Sequence, residues 1–226
     1  MKPNLPPVLI LAVALPILAG CASSRMLDLR AVAPVQGDVQ AGARKIELCS
    51  ACHGKNGSSP VPAFANIGGQ KIDYLYWELV EYQRGANPDS PMTAILRSLN
   101  VSDQDLRDLS AYYAAQAPAP SSGDPAAFAQ GQMLYRQGDP ARGIVPCQGC
   151  HGTAADGRVD GDASRYLAYP ALRGQHEQYL ARRLTEFRDK TETLMSSNDH
   201  IMHGVAHNLD DEAIRQLAGW LQAATP

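Results

Sequence analysis

From residue 72 the apolar positions fall at helical spacing: Ile72, Leu75, Leu79 and Tyr82 lie three and four apart, and Gly85 ends the run. A second stripe follows in Leu106, Leu109 and Tyr113, behind Ser102, whose hydroxyl suits an N-cap. Both patterns return later in the chain. Gln70, Tyr74, Leu75, Leu79 and Tyr82 match Gln175, Tyr179, Leu180, Leu184 and Phe187, and residues 101–116 match 209–224, where Asp210 takes the cap and Ile214, Leu217 and Leu221 form the face. A shorter helix is predicted over roughly 40–49, with its counterpart in residues 125–138. No stretch alternates as strands require, so the predicted fold class is all-α, in two tandem copies. The Pro/Ser stretch "APAPSSGD" (117–124) reads as the join, giving domains at 38–118 and 125–226 with a linker at 119–124. Domains this small cannot build generous apolar cores, and a large flat apolar cofactor in each would supply the missing buried surface.

The N-terminus adds export. Lys2 precedes "VLILAVALPILAG" (8–20), an apolar run of signal-peptide length and short for a membrane span. Residues 1–20 then read as a signal peptide ending in "LAGC", which resembles the lipobox of bacterial lipoproteins; Cys21 is the residue to be lipidated and to become the new N-terminus. Each buried acyl methylene contributes about 0.8 kcal/mol, so several chains hold a protein on a bilayer. Ala22 after the cysteine favours the outer membrane by analogy with Gram-negative lipoproteins, and the patternless residues 21–37 read as a lipidated tether. The net charge of -3 is spread along the chain without a basic stripe, which speaks against a nucleic-acid partner.

Export leaves four cysteines to explain, since thiols outside the cytoplasm are usually bonded or capped. They form two copies of one motif, "CSACHG" (49–54) and "CQGCHG" (147–152). A four-thiolate zinc site would have to join pairs from separate repeats, each already complete with its own histidine. A redox dithiol needs a βαβ setting that this helical pattern does not offer. Covalent haem explains every position: Cys49 and Cys52, or Cys147 and Cys150, form thioethers with the porphyrin, and His53 or His151 ligates the iron. Two covalently bound haems c per chain are predicted. On the His/Met pattern Met92 is the candidate sixth ligand in the first half. The second half offers Met195, Met202, His200, His203 and His207. Met92 lies ten residues before Ser102, Met202 eight before Asp210 and Met195 fifteen before it, so the repeat favours Met202 and leaves bis-histidine ligation open.

With these residues in view, the chain resembles the diheme class I cytochromes c of the cytochrome c-four family over nearly all of 38–226. The resemblance rests on the paired motifs, the "GGQ" and "RGQ" turns before a helix, the methionines ahead of "LNVSDQDL" and "NLDDEAI", and the lead-in "MLYRQGDPARGIVPCQGCHG". It implies two tandem class I cytochrome c domains with facing haems, and a periplasmic carrier; the lipobox at Cys21 departs from the pattern, since many relatives are soluble or anchored otherwise. Such a carrier would move electrons from a quinol-oxidising cytochrome bc complex or a dehydrogenase to a terminal oxidase or reductase. It further implies a proline carbonyl accepting from each proximal imidazole, with Pro62 (or Pro60) and Pro170 as the matches. The rival readings are a diheme oxidoreductase with one open iron, such as a peroxidase or thiosulfate dehydrogenase, and a haem subunit of a larger respiratory complex. With both irons closed by protein ligands, the expectation is an electron carrier rather than an enzyme.

Overall fold

The computed structural model describes residues 26–157, 167–190 and 194–225; the predicted signal peptide and Cys21 lie outside them. Ten α-helices occur among the described residues. Val39–Ala43 (α1), Glu47–His53 (α2), Ile72–Arg84 (α3), Pro91–Ser98 (α4) and Asp103–Ala114 (α5) make up the first half. Ala129–Gln137 (α6), Gln148–His151 (α7), Glu177–Asp189 (α8), Ser197–Ala206 (α9) and Asp211–Ala223 (α10) repeat that order in the second. Within each half the first and last helices pack together (α1 on α5, α6 on α10), and the third packs on the last.

The predicted caps are present. The Ser102 hydroxyl accepts from Asp105 N–H in a reciprocal capping box, and the Asp210 carboxylate accepts from Ala213 N–H. Gly85, at φ +96°, takes the left-handed position that closes α3. The helix predicted over 40–49 differs: it is two helices, broken at Arg44–Ile46. In the break Lys45 reaches across to Asp105 at 2.6 Å and Asp108 at 2.8 Å on α5, which turns the chain before the cysteines.

Small residues set the helix crossings. A Cβ on Gly42 of α1 would stand 2.1 Å from the Asp108 carbonyl oxygen, and one on Gly131 of α6 would stand 1.9 Å from that of Gln216. Above the second crossing lies a sizeable core in which Leu134, Tyr135, Leu217 and Trp220 are buried, the Tyr135 and Trp220 rings 4.8 Å apart. The first half gathers only Val35, Tyr76 and Leu106 as a fully buried cluster, with Ile72, Trp77 and Leu79 against it.

Residues 26–37, the described part of the segment read as a tether, form a strap across both halves. Leu27 N–H donates to Met195 O at 2.9 Å and Leu27 O accepts from Ser197 N–H at 2.8 Å, while Leu29 N–H donates to the Ser197 hydroxyl at 3.0 Å. Farther along, Val35 N–H donates to the buried Asp73 carboxylate of α3 at 2.7 Å. Leu29 and Val35 are 2 % and 7 % exposed. Their burial, with these paired backbone groups, repays the entropy of ordering the segment.

Gly131→Ala tests the crossing. Alanine improves helix propensity by about 1 kcal/mol, but forcing Cβ into the Gln216 carbonyl is expected to cost more, with a net loss of roughly 1–3 kcal/mol. The denaturant midpoint of the holoprotein measures it; a midpoint at or above that of the parent would contradict the packing.

Candidate functional site

In the second half, Asp139 and Ile144 pair their backbones at 2.8 and 2.9 Å, and Pro146 then delivers the chain into α7. This helix is a single turn: Cys150 N–H and His151 N–H both donate to Cys147 O, at 3.2 and 3.0 Å. Residues three apart on one turn share a face, so the two thiols stand together with the histidine at the turn's end. Both motifs then stop in the same way. Gly54 and Gly152, at φ +75° and +82°, turn the chain sharply, and a Cβ there would stand 2.4 Å from Ser58 O or 2.8 Å from Gly157 O. That explains the glycine after each histidine.

The two histidines are oriented alike. His151 Nδ1 lies 2.9 Å from Pro170 O, and His53 Nδ1 lies 2.9 Å from Ala65 O. A carbonyl only accepts, so Nδ1 carries the proton in each ring and Nε2 keeps its lone pair. Burial pushes both imidazoles below the usual 6.5, which keeps them neutral and able to ligate. Pro170 is the acceptor expected for the second half. Neither Pro62 nor Pro60 plays that part in the first: Ala65 does. The reason is positional, since Ala65 and Pro170 each lie five residues before the matched glutamines, Gln70 and Gln175.

A cleft partly open to solvent gathers Cys147, Cys150 and His151 with Met202 and Val205 of α9 and with Leu184 and Phe187 of α8. Tyr74 and Trp77 of α3 and Leu29 of the strap complete the wall, so the first half helps to enclose the second half's site. Met195 does not line it; its N–H instead donates to Asp199 at 2.9 Å and its carbonyl accepts from the strap. His203 gives its Nδ1 to Phe187 O at 2.6 Å. Two buried polar atoms on the wall lack partners, Trp77 Nε1 and Asn198 Oδ1. A large apolar ring with carboxylate arms fits this lining: the indole N–H would find a carboxylate oxygen, and the aliphatic and aromatic wall would cover the ring faces. Burial pushes the Cys147 thiol up to about 11 and raises that of Cys49. Among the described residues no three of His, Cys, Asp and Glu gather to hold a metal ion.

In the first half Cys49, Cys52 and His53 are half-buried on α2, the Ser59 hydroxyl donating to Cys52 O at 2.8 Å. The Tyr113 hydroxyl on α5 is buried without a hydrogen-bond partner, in the neighbourhood of Cys49. Met92 is half-buried at the second residue of α4, and its N–H donates to Ser90 at 3.2 Å. Met92 and Met202 thus occupy corresponding elements, each on the short helix between the third and last helices of its half. Sequence reasoning placed the methionines without seeing these helices. Their start signals are nonetheless written there: Ser90-Pro91 is an N-cap followed by proline at the first helical position, and Ser196 with Asp199 forms a capping box.

The cytochrome c family profile matches residues 128–225. Cytochrome c4 of Azotobacter vinelandii is 36% identical over 205 residues, covering 87% of this chain and 93% of its own. The crystal structure of reduced recombinant cytochrome c4 from Pseudomonas stutzeri superposes with a TM-score of 0.72 at 36% identity, over 84% of this chain and 100% of that one. The chain belongs to the cytochrome c4 family. It is therefore a two-haem electron-transfer cytochrome rather than an enzyme, and it exchanges electrons with other redox proteins. Cytochromes c4 work in the periplasm in association with membranes. A more distant relative, the thiosulfate dehydrogenase electron acceptor of Thiomonas intermedia, is 30% identical over 184 residues, 77% of either chain.

Within this cytochrome c4 fold one wall of the cleft carries an acid pair from opposite halves. Glu81 of α3, 6 % exposed, hydrogen-bonds Asp199 of α9, 8 % exposed, with Ser196 alongside. Burial first, then the charges of Glu78 and Asp199, raise the Glu81 carboxyl far above its usual 4.5, so the fold holds a proton there. The unfolded chain releases that proton above 4.5. The contribution to stability is thus whole below that pH and is lost as pH rises toward the folded pKa, at up to about 1.4 kcal/mol per pH unit. Glu81→Gln is expected to flatten the decline in stability from pH ~5 to ~8; an unchanged slope of unfolding free energy against pH would contradict the shared proton.

Proposed function

We propose that Cys49 and Cys52 would fasten the first haem while His53 and Met92 would ligate its iron, and that Cys147, Cys150, His151 and Met202 would do the same for the second. One observation carries this reading. Cys147, Cys150, His151 and Met202 line a single apolar cleft while the imidazole's other nitrogen is committed to Pro170 O. Bound in these sites, haem iron supplies a one-electron couple. The protein's own groups set its character. The carbonyls at Ala65 and Pro170 fix the imidazole rings and raise their basicity, whereas the neutral, soft thioethers of Met92 and Met202 favour the reduced iron and a fairly high potential. With protein side chains supplying the ligands at each iron, no place would remain there for a substrate.

The N-terminal sequence supports a lipid on Cys21 that holds the carrier to a bacterial membrane facing the periplasm, with the outer membrane favoured by Ala22. Its donors are then a quinol-oxidising bc complex or a dehydrogenase, and its acceptors a terminal oxidase or reductase, met over small transient interfaces. The Thiomonas relative's name favours a dehydrogenase among the donors.

Carbon monoxide tests the ligation. Added to the reduced parent near neutral pH it is expected not to bind, while Met202→Ala takes up one equivalent per chain; stoichiometric binding to the parent contradicts closed His/Met sites. For the anchor, intact-mass analysis of the mature protein is expected to show an N-terminal Cys21 carrying acyl chains, and a mature chain with an unmodified Cys21 or no Cys21 contradicts lipidation at that residue.

A further inference from the structure

The matched glutamines do something that neither half could do alone. Gln70 Nε2 donates to Ala171 O at 2.9 Å, and its Oε1 accepts from Ala171 N–H at 2.8 Å. Gln175 Nε2 donates to Asn66 O at 2.9 Å, and its Oε1 accepts from Asn66 N–H at 2.7 Å. Each carboxamide therefore clasps the backbone of the opposite half through both of its polar atoms. Both are buried, at 8 % and 7 % exposed, and each Oε1 also accepts from the following N–H, Lys71 or His176.

The clasped residues are not arbitrary. Asn66 N–H belongs to the same peptide group as Ala65 O, the acceptor of His53 Nδ1. Ala171 N–H belongs to the same peptide group as Pro170 O, the acceptor of His151 Nδ1. A peptide is one conjugated unit, so a hydrogen bond given by its N–H increases the negative charge on its carbonyl oxygen. A stronger acceptor draws the Nδ1 proton harder and makes the imidazole a more basic ligand, which favours oxidised iron.

We propose that Gln70 and Gln175 are cross-domain positioning residues: each sets the proximal histidine's hydrogen bond, and hence the reduction potential, of the haem in the other half. The inference rests on His53 and His151 being the proximal ligands. It gives the paired domains a purpose beyond proximity, because the potential of each site then depends on the neighbour remaining docked.

The experiment is a spectroelectrochemical titration of the full-length holoprotein, with each haem identified by its own paramagnetically shifted methyl resonances. Gln70→Leu removes the acceptor at Ala171 N–H and is expected to raise the potential of the second haem while leaving the first near its parent value. Gln175→Leu is expected to do the reverse. Gln70→Glu keeps an acceptor for that N–H and is expected to hold the second haem at or below its parent potential, which a merely loosened interface would not do. Shifts confined to the haem of the mutated half, equal shifts in both, or unmoved potentials with both haems ligated would overturn the relay. Parent spectra without histidine ligation would overturn the ligand set beneath it, and the two failures are distinguishable because ligation is read before any variant is compared.

Discussion

A buried imidazole has two nitrogens, and in each half of this cytochrome the backbone takes one of them. The bonds from His53 to Ala65 O and from His151 to Pro170 O fix the tautomer, the ring plane and the direction of the remaining lone pair. Much of the fold serves these two bonds. The motif helix ends at the histidine because Gly54 or Gly152 turns the chain away, and the returning loop must then bring its carbonyl back to the ring. That loop is pinned from behind: Gly69 N–H donates to Tyr113 O and Gly174 N–H to Leu221 O, both at 2.9 Å, which ties each proximal loop to the last helix of its half.

The two halves are alike in plan and unequal in substance. The second has a continuous core around Leu134, Tyr135, Leu217 and Trp220, whereas the first gathers a much smaller buried cluster. A covalently held apolar ring offsets such a shortage, since its faces become the missing core surface. The first half also spends apolar and aromatic groups on its neighbour: Tyr74 and Trp77 wall the second half's cleft, and Glu81 meets Asp199 beside it. The strap from Leu27 to Val35 binds the start of α9 and then α3, so it crosses the boundary a second time. Docking of the halves is thus part of building the sites.

Sequence reading reached the elements whose signals are local. The stripes of α3, α5, α8 and α10 carry their period on the surface of the text, and each motif compresses two thiols and the imidazole proposed as ligand into five residues. The short helices α4 and α9 escaped because two turns or so leave little periodicity, although Ser90-Pro91 and the Ser196–Asp199 box announce them. The Ala65 acceptor escaped for a different reason: any residue has a carbonyl, so side-chain chemistry cannot point to it, and proline was the wrong guide. The repeat register would have found it, since Ala65 stands to Gln70 as Pro170 stands to Gln175. Gln70, Gln175 and Glu81 look like polar surface positions until the other half is placed against them. Leu27, Leu29 and Val35 could not be told from a tether without seeing what they bury against.

One covalent haem in each half underlies the whole arrangement. Its most direct test is the intact mass of denatured protein purified from a cytochrome-maturing host, alongside haem staining of the same material on a denaturing gel. The structure predicts a polypeptide carrying two haem additions that survive denaturation, reduced to one when Cys147 and Cys150 are both replaced by serine. A parent chain carrying no haem after denaturation, or a single one, would contradict it.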